Sequence, residues 1–224
     1  MNKLVTTKLS KRPYWIIHPI SDGHVKILWN KQAYHEIICY TMAVEIILQP
    51  ATANLDNNTL YQLAKDISIE FEDVKVNVAS SIEPHTEAQF QLAFDTRRNQ
   101  WNSPRLLDWF SEKLKRNINT KILVILDVDA YSNGLNYVLG EAFHKGQLAA
   151  IYLPRIKQEF YGLKPNDQLF YERMVKECVH ELGHVFGFVH CDSPSCVMHF
   201  SNSLSDTDMK ERSFCRSCRN KLFR

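Results

Sequence analysis

Apolar and polar residues follow two different periods along this chain, and the period changes several times between its ends. Apolar side chains recur every three or four positions in residues 56–71 and 103–116, which predicts two helices. Strand-like patterns mark residues 14–20, 74–79 and 121–130, and the last of these runs is almost continuously apolar. Such a run is typical of a central strand that is buried on both faces. The pattern therefore predicts interleaved helices and strands.

Capping residues indicate where several of these elements begin and end. Asn58 and Ser103 are suitable N-caps for the two helices, and Pro104 suits the first helical position. Residues 25–49 are apolar in patches that do not separate helix from strand, and Pro50 is expected to end that run.

The C-terminal half is predicted to contain two short strands followed by one long helix. Residues 136–143 and 147–154 have strand character, and the helix is expected at about 167–187. At about 100° per residue, His180 and His184 share one face of this helix. An apolar stripe occupies the opposite face, so the helix should pack its back into a core and present both imidazoles on the other side.

Composition limits the class of protein. The chain has 224 residues, of which 45% are hydrophobic and 23% charged, with a net charge of +2. These values are ordinary for a soluble globular protein and argue against a globally basic nucleic-acid binder. No apolar run approaches the roughly 20 residues that span a bilayer, and no signal peptide is visible. We therefore expect a cytoplasmic protein without a membrane partner, whose thiols are kept reduced.

The stretch HELGH, residues 180–184, has the residue types of a catalytic zinc site. Two histidines four positions apart can bind one Zn²⁺, and an adjacent carboxylate, Glu181, can accept a proton from a water that the metal activates. The alternative is two solvent-facing histidines and an isolated, solvated glutamate. Gly187 then favours a left-handed helix end that turns His190 back toward the same metal, and this role is compatible with that of a plain C-cap.

Four late cysteines have the spacing of a second metal site. They form a C-x₄-C and a C-x₂-C pair, which suits a closed tetrahedral Zn²⁺; they are Cys191, Cys196, Cys215 and Cys218. Two disulfides or four buried thiols are the alternatives. The remaining two, Cys39 and Cys178, lie in apolar surroundings and are expected in the core.

The combination HELGHVFGFVHC, SCVMHF and CRSC closely resembles the archaemetzincin (archaelysin) family of metzincin metallopeptidases. The resemblance covers roughly residues 44–224 and implies that Met198 forms the methionine turn beneath the metal. It implies an α+β, zincin-like fold, with a twisted mixed sheet, an active-site helix and a small Cys₄-zinc C-terminal part. Residues 44–224 would then be the catalytic domain, with the Cys₄ segment at 191–218, and residues 1–43 have no assigned role.

The implied function is hydrolysis of peptide bonds in a peptide or protein substrate, with Glu181 as general base. Three histidines and four cysteines imply two Zn²⁺ per chain, one catalytic and one structural, and we expect a monomer. The alternative is a zinc-binding module on a scaffold that does not cleave, which binds protein or nucleic acid through its basic C-terminus. The cations of that segment are Lys210, Arg212, Arg216, Arg219, Lys221 and Arg224. A solvated charged tail is the preferred explanation of these cations, and the retained Glu181 argues against a scaffold that does not cleave.

Overall fold

The computed structural model describes residues 15–19, 25–29, 44–72, 74–144 and 146–222. The chain separates into two compact units, Met1–Met42 with Phe223–Arg224, and Ala43–Leu222. In the first unit, strands β1 (Trp15–Pro19) and β2 (Val25–Trp29) pair antiparallel. The expectation for Cys39 lies outside the described residues.

The second unit contains a mixed sheet with helices on both faces. Its strands are β3 (Glu45–Ala51), β4 (Lys75–Val78), β5 (Phe94–Asp95), β6 (Gln100–Asn102), β7 (Thr120–Leu126), β8 (Ala130–Tyr131), β9 (Gly140–Ala142) and β10 (Leu148–Tyr152). Its helices are α1 (Asn57–Glu70), α2 (Ala88–Gln91), α3 (Ser103–Lys113), α4 (Asp167–Val185), α5 (Leu204–Met209) and α6 (Arg216–Leu222).

The main sheet has the strand order β4-β3-β7-β10-β9. The first four strands run parallel, and the edge strand β9 runs antiparallel to β10. Strand β7 lies in the middle, which confirms the central strand expected from the apolar run at 121–130. A smaller sheet has the order β5-β6-β8.

Helices cover both faces of the main sheet, and each face has its own hydrophobic core. On one face, α1 and α4 pack through residues such as Leu63, Ile67 and Val179. On the other face, α3 packs through Leu106 and Phe110. This α+β arrangement, with its twisted mixed sheet, is the fold class that the sequence predicted.

The expectation that Pro50 ends its apolar run was wrong, because β3 continues to Ala51. Strand β4 pairs with β3 only as far as Leu48, and the carbonyl of Pro50 accepts a hydrogen bond from the Ile82 N–H on that same side. Within a strand, the N and O atoms of one residue face the same neighbour. A backbone N–H at position 50 would therefore point to the side on which β4 no longer pairs with β3. Proline at this position costs the sheet no hydrogen bond.

Two predicted helix caps were displaced toward the N-terminus. The side chain of Asp56, not Asn58, accepts a hydrogen bond from the Thr59 N–H and caps α1. Asn102 caps α3 in the same way, so that Ser103 becomes the first helical residue. Neighbouring Asp, Asn and Ser residues are all competent caps, so the sequence pattern alone does not fix which of them caps the helix.

The long helix α4 agrees with its predicted range of about 167–187. It begins where the Asn166 side chain accepts a hydrogen bond from the Leu169 N–H, and it buries Val175, Cys178 and Leu182 against the sheet. Cys178 is therefore a core residue, as expected. None of the helices in the described residues combines the length and the apolarity needed to cross a bilayer.

Candidate metal centres

The end of α4 gathers three histidines. Gly187 adopts a left-handed conformation, with φ of 95°, and its N–H donates to the carbonyl of His184. The chain therefore turns back just after the C-terminal end of α4, as the glycine at this position predicted. The ring of His190 comes to 4.9 Å from that of His184 and 5.4 Å from that of His180, measured between centroids.

Hydrogen bonds to carbonyl groups orient two of these imidazoles. Nδ1 of His180 donates to the carbonyl of Val197 at 2.7 Å, and Nδ1 of His184 donates to the carbonyl of Phe188 at 2.8 Å. Because a carbonyl can only accept, the proton of each neutral ring is on Nδ1 and the lone pair is on Nε2. The two Nε2 atoms lie 3.1 Å apart.

This donor set fits a zinc ion. One ligand atom from each of His180, His184 and His190 lies within 4.8 Å of the others. Burial lowers the pKa of all three imidazoles, which favours the neutral form that binds metal. Two nitrogen lone pairs at this separation repel each other unless a cation lies between them, and three neutral imidazoles with one open position are a common Zn²⁺ site.

Glu181 faces the cavity beside the histidines. It is 5% exposed, and its carboxylate has no hydrogen bond to another described residue. Burial, followed by repulsion from Glu177, raises its pKa well above the ordinary value. The backbone of edge strand β9 lies directly against it, since a Cβ atom on Gly140 would come 2.5 Å from Cγ of Glu181. Only a glycine at position 140 leaves this space.

Sequence reasoning missed two charged residues of the same cavity. Glu177 precedes His180 by almost one helical turn, so it shares the polar face of α4, and Lys210 follows α5. Both are buried, and Nζ of Lys210 lies 3.2 Å from Oε1 of Glu177. The helical wheel could have found Glu177, but no local signal indicates that Lys210 lies beside it.

Met198 lies beneath the active-site helix. Its side chain is fully buried, and a Cβ atom on Gly183 would come 2.4 Å from its Sδ. The small residue within HELGH therefore allows the methionine to approach the helix backbone. This is the position at which the resemblance placed a methionine turn.

The four late cysteines also come together. One sulfur from each of Cys191, Cys196, Cys215 and Cys218 lies within 4.8 Å of the others, and all four are free thiols. Sγ of Cys191 lies 3.8 Å from Sγ of Cys215. Two thiolates on one tetrahedral Zn²⁺, each at about 2.3 Å, would be about 3.8 Å apart. The backbone N–H of Cys218 is the main cause that lowers the pKa of Cys215 to about 7, which favours a thiolate.

The two clusters share a short connecting segment. His190 and Cys191 are adjacent in the chain, and the N–H of Cys191 donates to the carbonyl of Met198 at 2.9 Å. Val197, whose carbonyl orients His180, directly follows Cys196. The histidine cluster and the cysteine cluster are therefore linked by backbone hydrogen bonds.

The fold and the site together define a class of protein, an α+β metallohydrolase with HExxH on a buried helix. Comparison with known proteins gives the family. The model of Peptidase family M54 matches residues 88–224. The archaemetzincin of Pyrococcus horikoshii is 45% identical over 136 residues, which are 60% of this chain and 72% of that protein.

Solved structures agree with the sequence comparison. An archaemetzincin from Archaeoglobus fulgidus, complexed with malonate, has a TM-score of 0.64 and 32% identity, and the match covers 80% of this chain and 99% of that one. A zinc-dependent peptidase from Methanocorpusculum labreanum has a TM-score of 0.69 and 26% identity, with the same coverage. This chain belongs to Peptidase family M54 and is a zinc metallopeptidase.

Proposed function

We propose that His180, His184 and His190 hold the catalytic zinc and that Glu181 is the general base of peptide hydrolysis. The observation that carries this proposal is the convergence of three imidazoles with an unpaired carboxylate in one cavity of about 580 Å³. The cavity opens to solvent beside Val189 and Phe200, so a peptide can reach it. Within HELGH, Glu181 is the one acidic residue, and it directly follows His180 in the chain.

In this proposal, zinc acts as a Lewis acid, and protein groups orient its ligands and transfer the proton. When bound, zinc supplies Lewis-acid chemistry, because it polarises a carbonyl group and lowers the pKa of a water molecule to about 7. The carbonyls of Val197 and Phe188 hold His180 and His184 with Nε2 toward the cavity. The carboxylate of Glu181 takes a proton from the attacking water and passes it to the leaving amine nitrogen.

The substrate is a peptide or protein, and we propose that it binds as an additional strand along β9. This strand is the edge of the main sheet, and it pairs with β10 on one side. An exposed strand edge offers backbone donors and acceptors to an extended peptide. Gly140 places that edge against Glu181. A bound peptide would therefore run past the general base.

We further propose a second, structural zinc on Cys191, Cys196, Cys215 and Cys218. Four sulfur ligands without an open position are typical of zinc sites that stabilise a fold. Met198 would form the methionine turn between the two sites. Residues 44–224 would then be the catalytic domain, while residues 1–43 have no proposed role.

Peptide cleavage that depends on zinc tests the proposed function. We expect the purified protein to hydrolyse members of a mixed peptide library, to lose this activity with a chelator, and to regain it when zinc is restored. Mass spectrometry of the products measures the cleavage. A zinc-loaded, folded protein that leaves a diverse library intact would contradict the proposal.

Metal content tests the number of sites. Because three histidines and four cysteines form separate clusters, we expect two zinc ions per chain after purification under reducing, zinc-replete conditions. Elemental analysis normalised to protein concentration measures the ratio. A ratio of one or less would show that one of the two clusters does not retain zinc.

The rival proposal, a nucleic-acid-binding module, loses support from the positions of its cations. Arg219 pairs with Glu70 at 3.2 Å, and Arg212 lies 3.7 Å from both Asp66 and Glu70. Lys210 is buried against the active-site helix. These three charges hold the C-terminal segment on α1 and α4, which leaves Arg216 and Lys221 as the exposed cations of the segment among the described residues.

We also propose that the protein is monomeric and cytoplasmic, as the sequence predicted. Four clustered cysteines that are proposed as zinc ligands suit a compartment in which thiols are kept reduced. Gel filtration with light scattering would measure the oligomeric state.

A further inference from the structure

The cavity above the histidines has an apolar mouth and a charged inner end. Val189 and Phe200, at the mouth, are 68% and 42% exposed. Glu177 and Lys210, which also line the cavity, are only 3% and 2% exposed. A side chain that enters past the apolar rim therefore ends against an ammonium and a carboxylate.

Contacts between α4 and α5 hold this pair in place. Oε1 of Glu177 lies 3.2 Å from Nζ of Lys210 and accepts a hydrogen bond from the Thr207 hydroxyl at 3.1 Å. Arg173 forms two hydrogen bonds with the carboxylate of Asp208, at 2.7 and 2.6 Å. The inner end of the cavity is therefore fixed by a charged interface before any ligand arrives.

The Glu177–Lys210 pair has hydrogen-bonding capacity left over. An ammonium has three N–H donors, and Glu177 is the acidic partner of Lys210 among the described residues. The second oxygen of Glu177 has no hydrogen bond to a described residue, and it is not fully buried. It is therefore accessible as an acceptor. Donors and an acceptor thus remain side by side at the inner end of the cavity.

The charges that line the cavity decide which chemistry fits its inner end. An acidic side chain would be buried against Glu177 and near Glu141 and Glu181, which line the same cavity, whereas a basic side chain would be buried against the ammonium of Lys210. Either would add a charge of the same sign as a buried neighbour, which is costly. An apolar side chain would leave the spare donors and the acceptor unpaired once water is expelled. A carboxamide has an N–H₂ donor and a carbonyl acceptor and carries no charge.

We propose that Glu177 and Lys210 determine specificity at the floor of a substrate subsite, and that this subsite takes an asparagine or glutamine side chain. The inference rests on the proposed peptidase function, because it assigns the occupant of the same cavity. The apolar mouth contacts the aliphatic part of the side chain, and the pair contacts its amide group.

Peptides that differ at one position test the proposal. Each position of a cleaved sequence is replaced in turn by Gln, Glu, Lys or Leu, with the ends kept constant. We expect glutamine to be preferred by about tenfold at one position, because a site built to hydrogen-bond a substrate group discriminates against analogues that lack it. Cleavage rates on the zinc-loaded protein and calorimetric binding to Glu181→Gln are both measured.

The two measurements separate this inference from the proposed function. Cleavage without a glutamine preference at any position would overturn the inference and leave the peptidase proposal standing. Tightest binding of the glutamine peptide without cleavage would support the subsite and contradict the peptidase proposal. Failure of every peptide to bind would overturn the inference.

Reciprocal variants distinguish a specificity role from a structural one. Lys210→Met leaves Glu177 unbalanced and should shift the preference about tenfold toward lysine, whereas Glu177→Gln leaves Lys210 unbalanced and should shift it toward glutamate. Lys176→Met removes a charge from the same α4–α5 interface outside the cavity and should keep the glutamine preference. Melting temperature and zinc content report folding.

If Lys210→Met does not fold, the Glu177→Gln variant tests the inference alone. It is expected to fold, because glutamine retains an acceptor for Thr207 and Lys210. An unchanged preference in a folded Glu177→Gln protein would overturn the inference.

Discussion

Replacing Glu181 with glutamine is expected to lower the rate of peptide hydrolysis by at least about 100-fold, the lower end of what general acid–base catalysis contributes. Glutamine has nearly the same shape but cannot accept the proton of the attacking water. The zinc content should not change, because the proposed ligands of this zinc are the three clustered histidines and Glu181 is not among them. Steady-state kinetics on a cleaved peptide and elemental analysis of the same sample measure both quantities.

The position of the carboxylate should matter as well as its charge. Gly140→Ala would place a methyl group 2.5 Å from Cγ of Glu181, so the side chain or strand β9 must move. We expect slower turnover in this variant with all metal retained. Gly134→Ala is the control for backbone strain without a contact to Glu181, because Gly134 has a φ of 81° and its Cβ would meet nothing within 4 Å. A wild-type rate in Glu181→Gln would by itself contradict the assignment of Glu181 as general base, and a wild-type rate in Gly140→Ala would show that the close contact with β9 does not position the carboxylate.

The Cys218→Ser variant is expected to lose the zinc of the cysteine cluster and to weaken zinc binding at the histidines by about 10- to 100-fold. That range is typical when a residue that orients a metal ligand is disturbed. Here the orienting group is the carbonyl of Val197, which accepts the Nδ1–H of His180 at 2.7 Å. Val197 follows Cys196, and the Cys196 sulfur accepts a hydrogen bond from the Cys215 N–H. The cysteine cluster therefore holds the segment that orients His180, one of the proposed ligands of the catalytic zinc.

Two measurements and one control test this coupling. Competition with a chelator gives the zinc affinity of the histidines, and thermal unfolding gives the stability, which should fall because a structural zinc contributes folding free energy. Cys178→Ser makes the same chemical change at a buried cysteine outside the cluster and should keep both zinc ions. An unchanged histidine-site affinity in a Cys218→Ser protein that has lost one zinc would show that the clusters are independent.

Local geometry explains why the sequence predicted the histidine cluster. His180 and His184 are four residues apart on one helix, so a single repeating backbone conformation places them side by side. Gly187 then turns the chain within a few residues, and its φ of 95° is the conformation that glycine adopts most readily. None of these positions depends on a distant part of the chain.

Element boundaries were less predictable, since they depend on hydrogen-bonding partners that the local sequence does not contain. The apolar residues 136–143 predicted a strand, but only Gly140–Ala142 pairs with β10. Pro50 remains inside β3 because the neighbouring strand β4 has already ended. In each case a partner strand decided the outcome.

The sequence by itself indicated the histidines and cysteines that cluster, the helix that carries two of the histidines and the apolar stripe behind that helix. Only the tertiary structure decided that Lys210 meets Glu177, that Gly140 lies against Glu181 and that the carbonyl of Val197 orients His180. Each of these contacts joins segments far apart in the chain. The physical reason is that a helical period fixes neighbours within a few residues, whereas the packing of the sheet, α4 and the C-terminal segment brings distant residues together.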